Sequence, residues 1–129
     1  MTSVDTNGLL RWLLNDVPSQ TARVDALVAS STRLALADVA LIEVVFVLER
    51  VMKIPRSAVV ESFVAIATEK TFSFDRSFWQ TVMKDYASHP KLSVADIFLV
   101  HEARRSDALP LVTFDALLAR QLDGAERMP

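Results

Sequence analysis

Thr2-Ser3-Val4-Asp5-Thr6-Asn7-Gly8-Leu9-Leu10-Arg11-Trp12-Leu13-Leu14 changes its hydrophobic rhythm midway. Thr2 to Asp5 reads as a short strand ending at an acid, whereas Leu9, Leu10, Leu13 and Leu14 fall at helical spacing. The same alternation extends outward along the chain. A second helix is predicted to start near Pro18, which suits a first-turn position, and to carry Ala22, Leu27 and Val28 inward as far as the Ser30-Ser31-Thr32 break. Leu34 to Leu36 reads as a short strand. Asp38 is then the expected N-cap of a very apolar helix from Val39 to Met52, ended before Pro55. Ser57 opens another helix, with Val59, Val60, Phe63 and Ile66, running to Thr68. Thr71 to Phe74 alternates like an edge strand, and Asp75 starts a helix through Tyr86 that ends before His89-Pro90. Ser93 caps a helix to Ser106, Leu111 to Phe114 reads as a buried strand ending at Asp115, and Ala116 to Leu122 forms the last helix. Strands separated by helices predict an α/β fold: a three-layer α/β/α domain with a short central parallel sheet.

The 129 residues suit a single domain, 1–129, and with 51% of them hydrophobic the chain can build one core without disulfides or a structural metal. Cysteine is absent, which excludes thiol catalysis and cysteine-ligated metals and fits a reducing cytoplasm. Met1 to Asn7 shows neither the basic nor the apolar run of a secretory signal. The longest apolar stretch, Val39 to Leu48, contains Glu43 and falls far short of the roughly 20 residues of a spanning helix, so a cytoplasmic protein without a membrane span is expected. A net charge of -2 gives no global attraction to nucleic acid. Polyanion binding would then need a local cause, which carboxylates holding divalent cations supply.

The acids stand where acids are not expected. Asp5 and Asp115 each close a predicted strand, and in open parallel sheets ligands bind beyond those carboxyl ends. Glu43 interrupts Val39-Ala40-Leu41-Ile42 and Val44-Val45-Phe46-Val47-Leu48, so its carboxylate is expected to be at least partly buried. Asp96 repeats the pattern within Leu92 to Val100. An isolated buried ion is costly unless a cation or hydrogen bonds meet it. Neither acid has a Lys or Arg four residues away to form a surface pair on its helix. Taken singly, each has an ordinary explanation: a strand-end Asp caps the next helix, and a Glu in an apolar helix pairs with a distant Arg. Four in one small α/β chain instead suit a divalent-metal site for phosphoryl chemistry.

The ordered set Val4-Asp5-Thr6-Asn7, Leu41-Ile42-Glu43-Val44-Val45-Phe46-Val47-Leu48-Glu49-Arg50, Leu92-Ser93-Val94-Ala95-Asp96 and Leu111-Val112-Thr113-Phe114-Asp115 resembles a PIN domain, specifically the VapC-like toxins. The resemblance runs from about Thr2 to Leu122. It implies a Mg²⁺- or Mn²⁺-dependent endoribonuclease whose catalytic and metal-binding quartet is Asp5, Glu43, Asp96 and Asp115, with Thr6, Asn7 and Thr113 as supporting polar residues. In that reading Asp5, Asp96 and Asp115 are the main direct or water-mediated ligands, Glu43 orients metal-bound water or assists a second ion, and in-line attack leaves a 5′-phosphate and a 3′-hydroxyl. Arg11, Arg33, Lys53, Arg56, Arg104 and Arg105 are candidates for contacts to RNA phosphates. The partners implied are RNA, a VapB-like antitoxin and a second copy of the chain in a homodimer.

Three other readings are weighed against this one. A receiver-like phosphoacceptor domain would want adjacent acids after its first strand and a late lysine, whereas Thr6-Asn7 follows Asp5 and no lysine follows Lys91. A nonenzymatic module could use the acids to bind a basic partner segment. A PIN nuclease of RNA maturation or decay would share the chemistry without being a toxin. His89, in a turn before Pro90, and His101, off the face of Asp96, carry no catalytic assignment.

Overall fold

The computed structural model describes residues 1–129. They form two compact units, Met1–Asp75 and Arg76–Pro129.

The first unit runs β1 (Thr2–Ser3), α1 (Thr6–Leu14), α2 (Pro18–Ser30), β2 (Leu34–Ala35), α3 (Asp38–Phe46), a π-helical turn (Val47–Val51), α4 (Arg56–Thr68) and β3 (Phe72–Ser73). Its three strands are parallel in the order β1-β2-β3, with Thr2 opposite Leu34 and Leu34 opposite Phe72. Backbone bonds beyond the strand ends extend the pairing, as from Val4 N–H to the Ala35 carbonyl at 3.0 Å. Parallel strands need crossovers, and the helices that supply them bury Leu9, Leu41, Leu48, Val59 and Ile66 along with Leu34 and Phe72. Trp12 meets Phe72 edge to face at 5.0 Å, an aromatic contact between α1 and β3.

The second unit runs α5 (Arg76–Ser88), α6 (Val94–Arg105), β4 (Leu111–Thr113), α7 (Ala116–Gln121) and β5 (Ala125–Arg127). β4 and β5 are parallel, with Leu111 opposite Ala125 and Thr113 opposite Arg127. Trp79, Val82 and Tyr86 from α5 and Ile97 and Val100 from α6 are fully buried, and Trp79 stacks on Phe98 at 5.6 Å. Ser93 caps α6 as expected, its hydroxyl accepting the Asp96 N–H at 3.1 Å. No helix of the chain is long and apolar enough to cross a membrane.

The α/β class and the parallel pairing agree with the sequence reading, but several expectations need correction. Hydrogen bonding forms two short parallel sheets where one was expected. The strand β5 was not expected at all. α3 starts at Asp38 itself, with Ala37 at the cap position and no side-chain capping bond, although an acid in the first turn still suits the helix dipole. The apolar helix expected to run unbroken from Val39 to Met52 widens after Phe46, and Met52 N–H bonds the Val47 carbonyl five residues back at 2.9 Å. β4 is not a buried strand. It ends at Thr113, and its period of two puts Val112 and Phe114 on a face that stays open, leaving Phe114 85% exposed.

Candidate functional site

Asp5 follows β1 and is the N-cap of α1. Its Oδ1 accepts the Gly8 N–H at 2.8 Å, satisfying one of the free amides of the first turn. Gly8 is required for this closeness, since a Cβ there would lie 2.6 Å from Val4 Cγ1 and 3.3 Å from Asp5 Oδ1. On the next residue, the Thr6 hydroxyl donates to Glu43 Oε2 at 2.9 Å across 37 positions of sequence. The β1–α1 turn is thus tied to α3 through the carboxylate that the sequence singled out.

Glu43 is exposed, contrary to the expectation of burial. α3 buries Ala40, Leu41, Val44 and Val45, while Val39, Glu43 and Phe46 lie at i, i+4 and i+7 on its solvent stripe. Val39 and Phe46 are 64% and 53% exposed, and these apolar residues on the wet face hid the stripe in the sequence. Glu43 has no Lys or Arg within ion-pair distance, so the alternative of a paired, buried Arg does not apply.

In the second unit, Asp96 lies half-buried in the first turn of α6, its side chain without a hydrogen bond. Asp115 follows β4, caps α7 and is exposed, with Oδ1 accepting the N–H groups of Leu117 and Leu118 at 2.9 and 3.1 Å. The Thr113 hydroxyl accepts the Asp115 N–H at 3.0 Å, which fixes the turn.

Asp5, Glu43 and Asp115 each commit one carboxylate oxygen to the fold and leave the other without a partner. Free carboxylate oxygens are the donor type a hard cation such as Mg²⁺ takes, and Mg²⁺ uses one or two carboxylates together with water and phosphate oxygens. No three His, Asp or Glu side chains are grouped closely enough to hold a metal ion by themselves. In donor chemistry the residues fit such an ion; an all-protein cage is not what they form.

The basic residues sort differently from the expectation. Arg56 forms an ion pair with Glu49 at 2.9 Å, Arg104 donates to the Asp123 carbonyl at 3.0 Å, and Arg105 pairs with Glu102 while its guanidinium lies 3.6 Å from the centre of the Phe78 ring. Arg33 donates to Ser73 Oγ at 3.0 Å. Each of these guanidinium groups has a partner within the protein.

Arg11 is different. It lines a cleft of about 370 Å³ between α1 and α2, together with Asn7, Gln20, Arg23, Val24 and Leu27. Gln20 and Arg23 carried no signal in the sequence, because nothing in a helical stretch marks which polar residues will border a cavity. His101 was also passed over. It is buried, with Nε2 2.6 Å from Asp85 Oδ2 and Nδ1 3.3 Å from the Thr81 hydroxyl, a polar tie between α5 and α6. Neither a protein-family model nor a curated protein matches the chain.

Proposed function

We propose that this chain is a Mg²⁺- or Mn²⁺-dependent endoribonuclease of the PIN type, with the three-layer architecture of that fold, acting in the cytoplasm as the toxin of a toxin–antitoxin pair. The observation that carries the reading is the Thr6–Glu43 hydrogen bond. It joins the residue after the strand-end Asp5 to an exposed helical carboxylate that has no cationic partner, and ordinary helix-surface pairing does not explain such an arrangement. The resemblance along Thr2 to Leu122 supports it further.

In this reading Asp5, Asp96 and Asp115 would bind the cation directly or through its water ligands. When bound, the ion offsets phosphodiester charge and acidifies water near it. The chain's own groups do the rest. Thr6 fixes Glu43 through Oε2, which leaves Oε1 to take a hydrogen bond or a proton from the attacking water. The Gly8 N–H of α1 holds Asp5 at the strand end, and the α7 amides hold Asp115, so neither carboxylate has to be ordered when substrate arrives.

The test is cleavage of a mixed RNA pool by purified protein in Mg²⁺ and in EDTA, beside Asp5→Asn purified identically. Cutting that requires the metal and disappears in the variant is the expected result. Equal cutting by both proteins, or none by the wild type in Mg²⁺ or Mn²⁺, overturns the nuclease reading. The toxin assignment further expects a homodimer and growth arrest relieved by co-expression of a short neighbouring reading frame; no complex and no rescue would remove it.

A further inference from the structure

The cleft between α1 and α2 has walls fixed by the fold. Buried Thr21 donates its hydroxyl to the Arg11 carbonyl at 2.6 Å, pinning the start of α2 to the last turn of α1. Inside the cleft are two guanidinium groups, Arg11 and Arg23, neither of which donates a hydrogen bond to the protein. Arg11 Nε is withdrawn from solvent with no hydrogen-bond acceptor, its nearest carboxylate being Asp16 Oδ1 at 3.4 Å. Because Nε is enclosed, it is the other N–H groups of Arg11, with those of Arg23, that are left to donate charge-assisted hydrogen bonds to an anionic oxygen. With Asp16 counted against Arg11, the charge of Arg23 is left over to meet it.

The rest of the lining narrows the class of ligand. Asn7 and Gln20 offer amides that both donate and accept, and Val24 and Leu27 offer an apolar shelf, with Leu27 38% exposed. A volume of about 370 Å³ lies at the small end of the roughly 300–1,000 Å³ of small-molecule sites. An anion-binding end, polar edges and an apolar patch of that size suit a nucleoside phosphate.

We propose that this cleft seats one nucleotide unit of an RNA strand, with its phosphate between Arg11 and Arg23 and its base against Val24 and Leu27. The placement along the strand rests on the nuclease reading. The cleft begins at Asn7, two residues beyond Asp5, so the unit held there neighbours the bond at which Asp5 acts. Arg11 and Arg23 then set the register of the strand, and the amides of Asn7 and Gln20 discriminate among bases.

The experiment is equilibrium binding in EDTA, where no metal-dependent cutting occurs, using 5′-AMP, adenosine, inorganic phosphate, an acidic peptide and a fluorescent RNA hexamer. It compares the wild type with Arg23→Gln, a substitution at an exposed position that makes no hydrogen bond within the protein. The hexamer is expected to bind more tightly than 5′-AMP, adenosine and phosphate more weakly than either, and Arg23→Gln to weaken both 5′-AMP and hexamer at least fivefold. Chemical-shift changes on adding 5′-AMP should fall on Gln20, Arg23 and Val24. Unchanged binding by Arg23→Gln, adenosine binding as well as 5′-AMP, or the peptide outcompeting the hexamer overturns the nucleotide site. If 5′-AMP binds as tightly as the hexamer, the occupant is a free nucleotide and the assignment to a strand fails. RNA cutting in Mg²⁺ with no effect of Arg23→Gln on binding sinks the cleft alone, whereas 5′-AMP bound in the cleft of a protein that cuts no RNA sinks the nuclease reading alone.

Discussion

Glu43 tests the site most cleanly at the scale of one residue. It is exposed, it accepts one hydrogen bond from Thr6, and no cation depends on it. Glu43→Gln keeps the Oε acceptor for that hydroxyl while removing the charge, so unfolding in urea should change by no more than about 0.5 kcal/mol, as for surface substitutions generally. RNA cleavage should fall at least 100-fold, within the range of a lost general base, about 10²–10⁴. A variant that is clearly destabilised yet cuts normally would return Glu43 to a purely structural role. Gly8 gives the opposite pattern. The Cβ of Gly8→Ala would stand 2.6 Å from Cγ1 of Val4, a buried β-branched side chain with few alternative rotamers. Overpacking of this kind costs about 1–3 kcal/mol, and it also pushes on the carboxylate that caps α1. A lowered urea midpoint together with slower cleavage is expected; wild-type values for both would show that the turn gives way freely.

At the scale of the element, the π-helical turn after α3 is held by an ion pair. Glu49 and Arg56 lie 2.9 Å apart with side chains only 19% and 14% exposed, joining the turn to the first residue of α4. Removing one partner of a buried pair costs about 3–5 kcal/mol, and partial wetting here lowers the expected loss for Glu49→Gln to about 2 kcal/mol. The double variant Glu49→Leu with Arg56→Leu should lose less than Glu49→Leu and Arg56→Leu lose singly when added, because neither charge is then left alone; a loss equal to that sum would show that the pair is not coupled. The turn itself could not be read from Val47-Leu48-Glu49-Arg50-Val51, since a shift from i+4 to i+5 bonding leaves no mark in hydrophobic spacing. The helices were legible because their caps and periods are local: Pro18 at a first turn, Ser93 on α6, Asp5 and Asp115 at strand ends. β5 was hidden because Ala125-Glu126-Arg127 is short and mixed, and it is strand only by pairing with β4. The exposure of Glu43 was misread for a related reason, because Val39 and Phe46 occupy a solvent stripe that composition alone assigns to a core.

For the whole molecule, the distribution of the acids over the chain makes the demand. Asp5 and Glu43 belong to the unit Met1–Asp75, and Asp96 and Asp115 to Arg76–Pro129, so the nuclease reading requires residues of both units to serve one reaction. Groups that act in one step are strongly non-additive: once the first is removed, little remains for the second to lose. Asp5→Asn and Asp96→Asn should therefore each lower RNA cleavage at least 100-fold, and the double variant should be no slower than the slower single. Thermal melting supplies the control. A folded wild type should gain about 1.4 kcal/mol when Mg²⁺ is present at ten times its dissociation constant, a shift of a few degrees, and either single variant should lose most of that gain while keeping its melting point in EDTA. Losses that multiply in the double variant would assign the two acids to independent events. A Mg²⁺ shift that survives Asp5→Asn but not Asp96→Asn would confine the metal to the second unit and leave Asp5 as the cap of α1, which its bond to Gly8 already makes it.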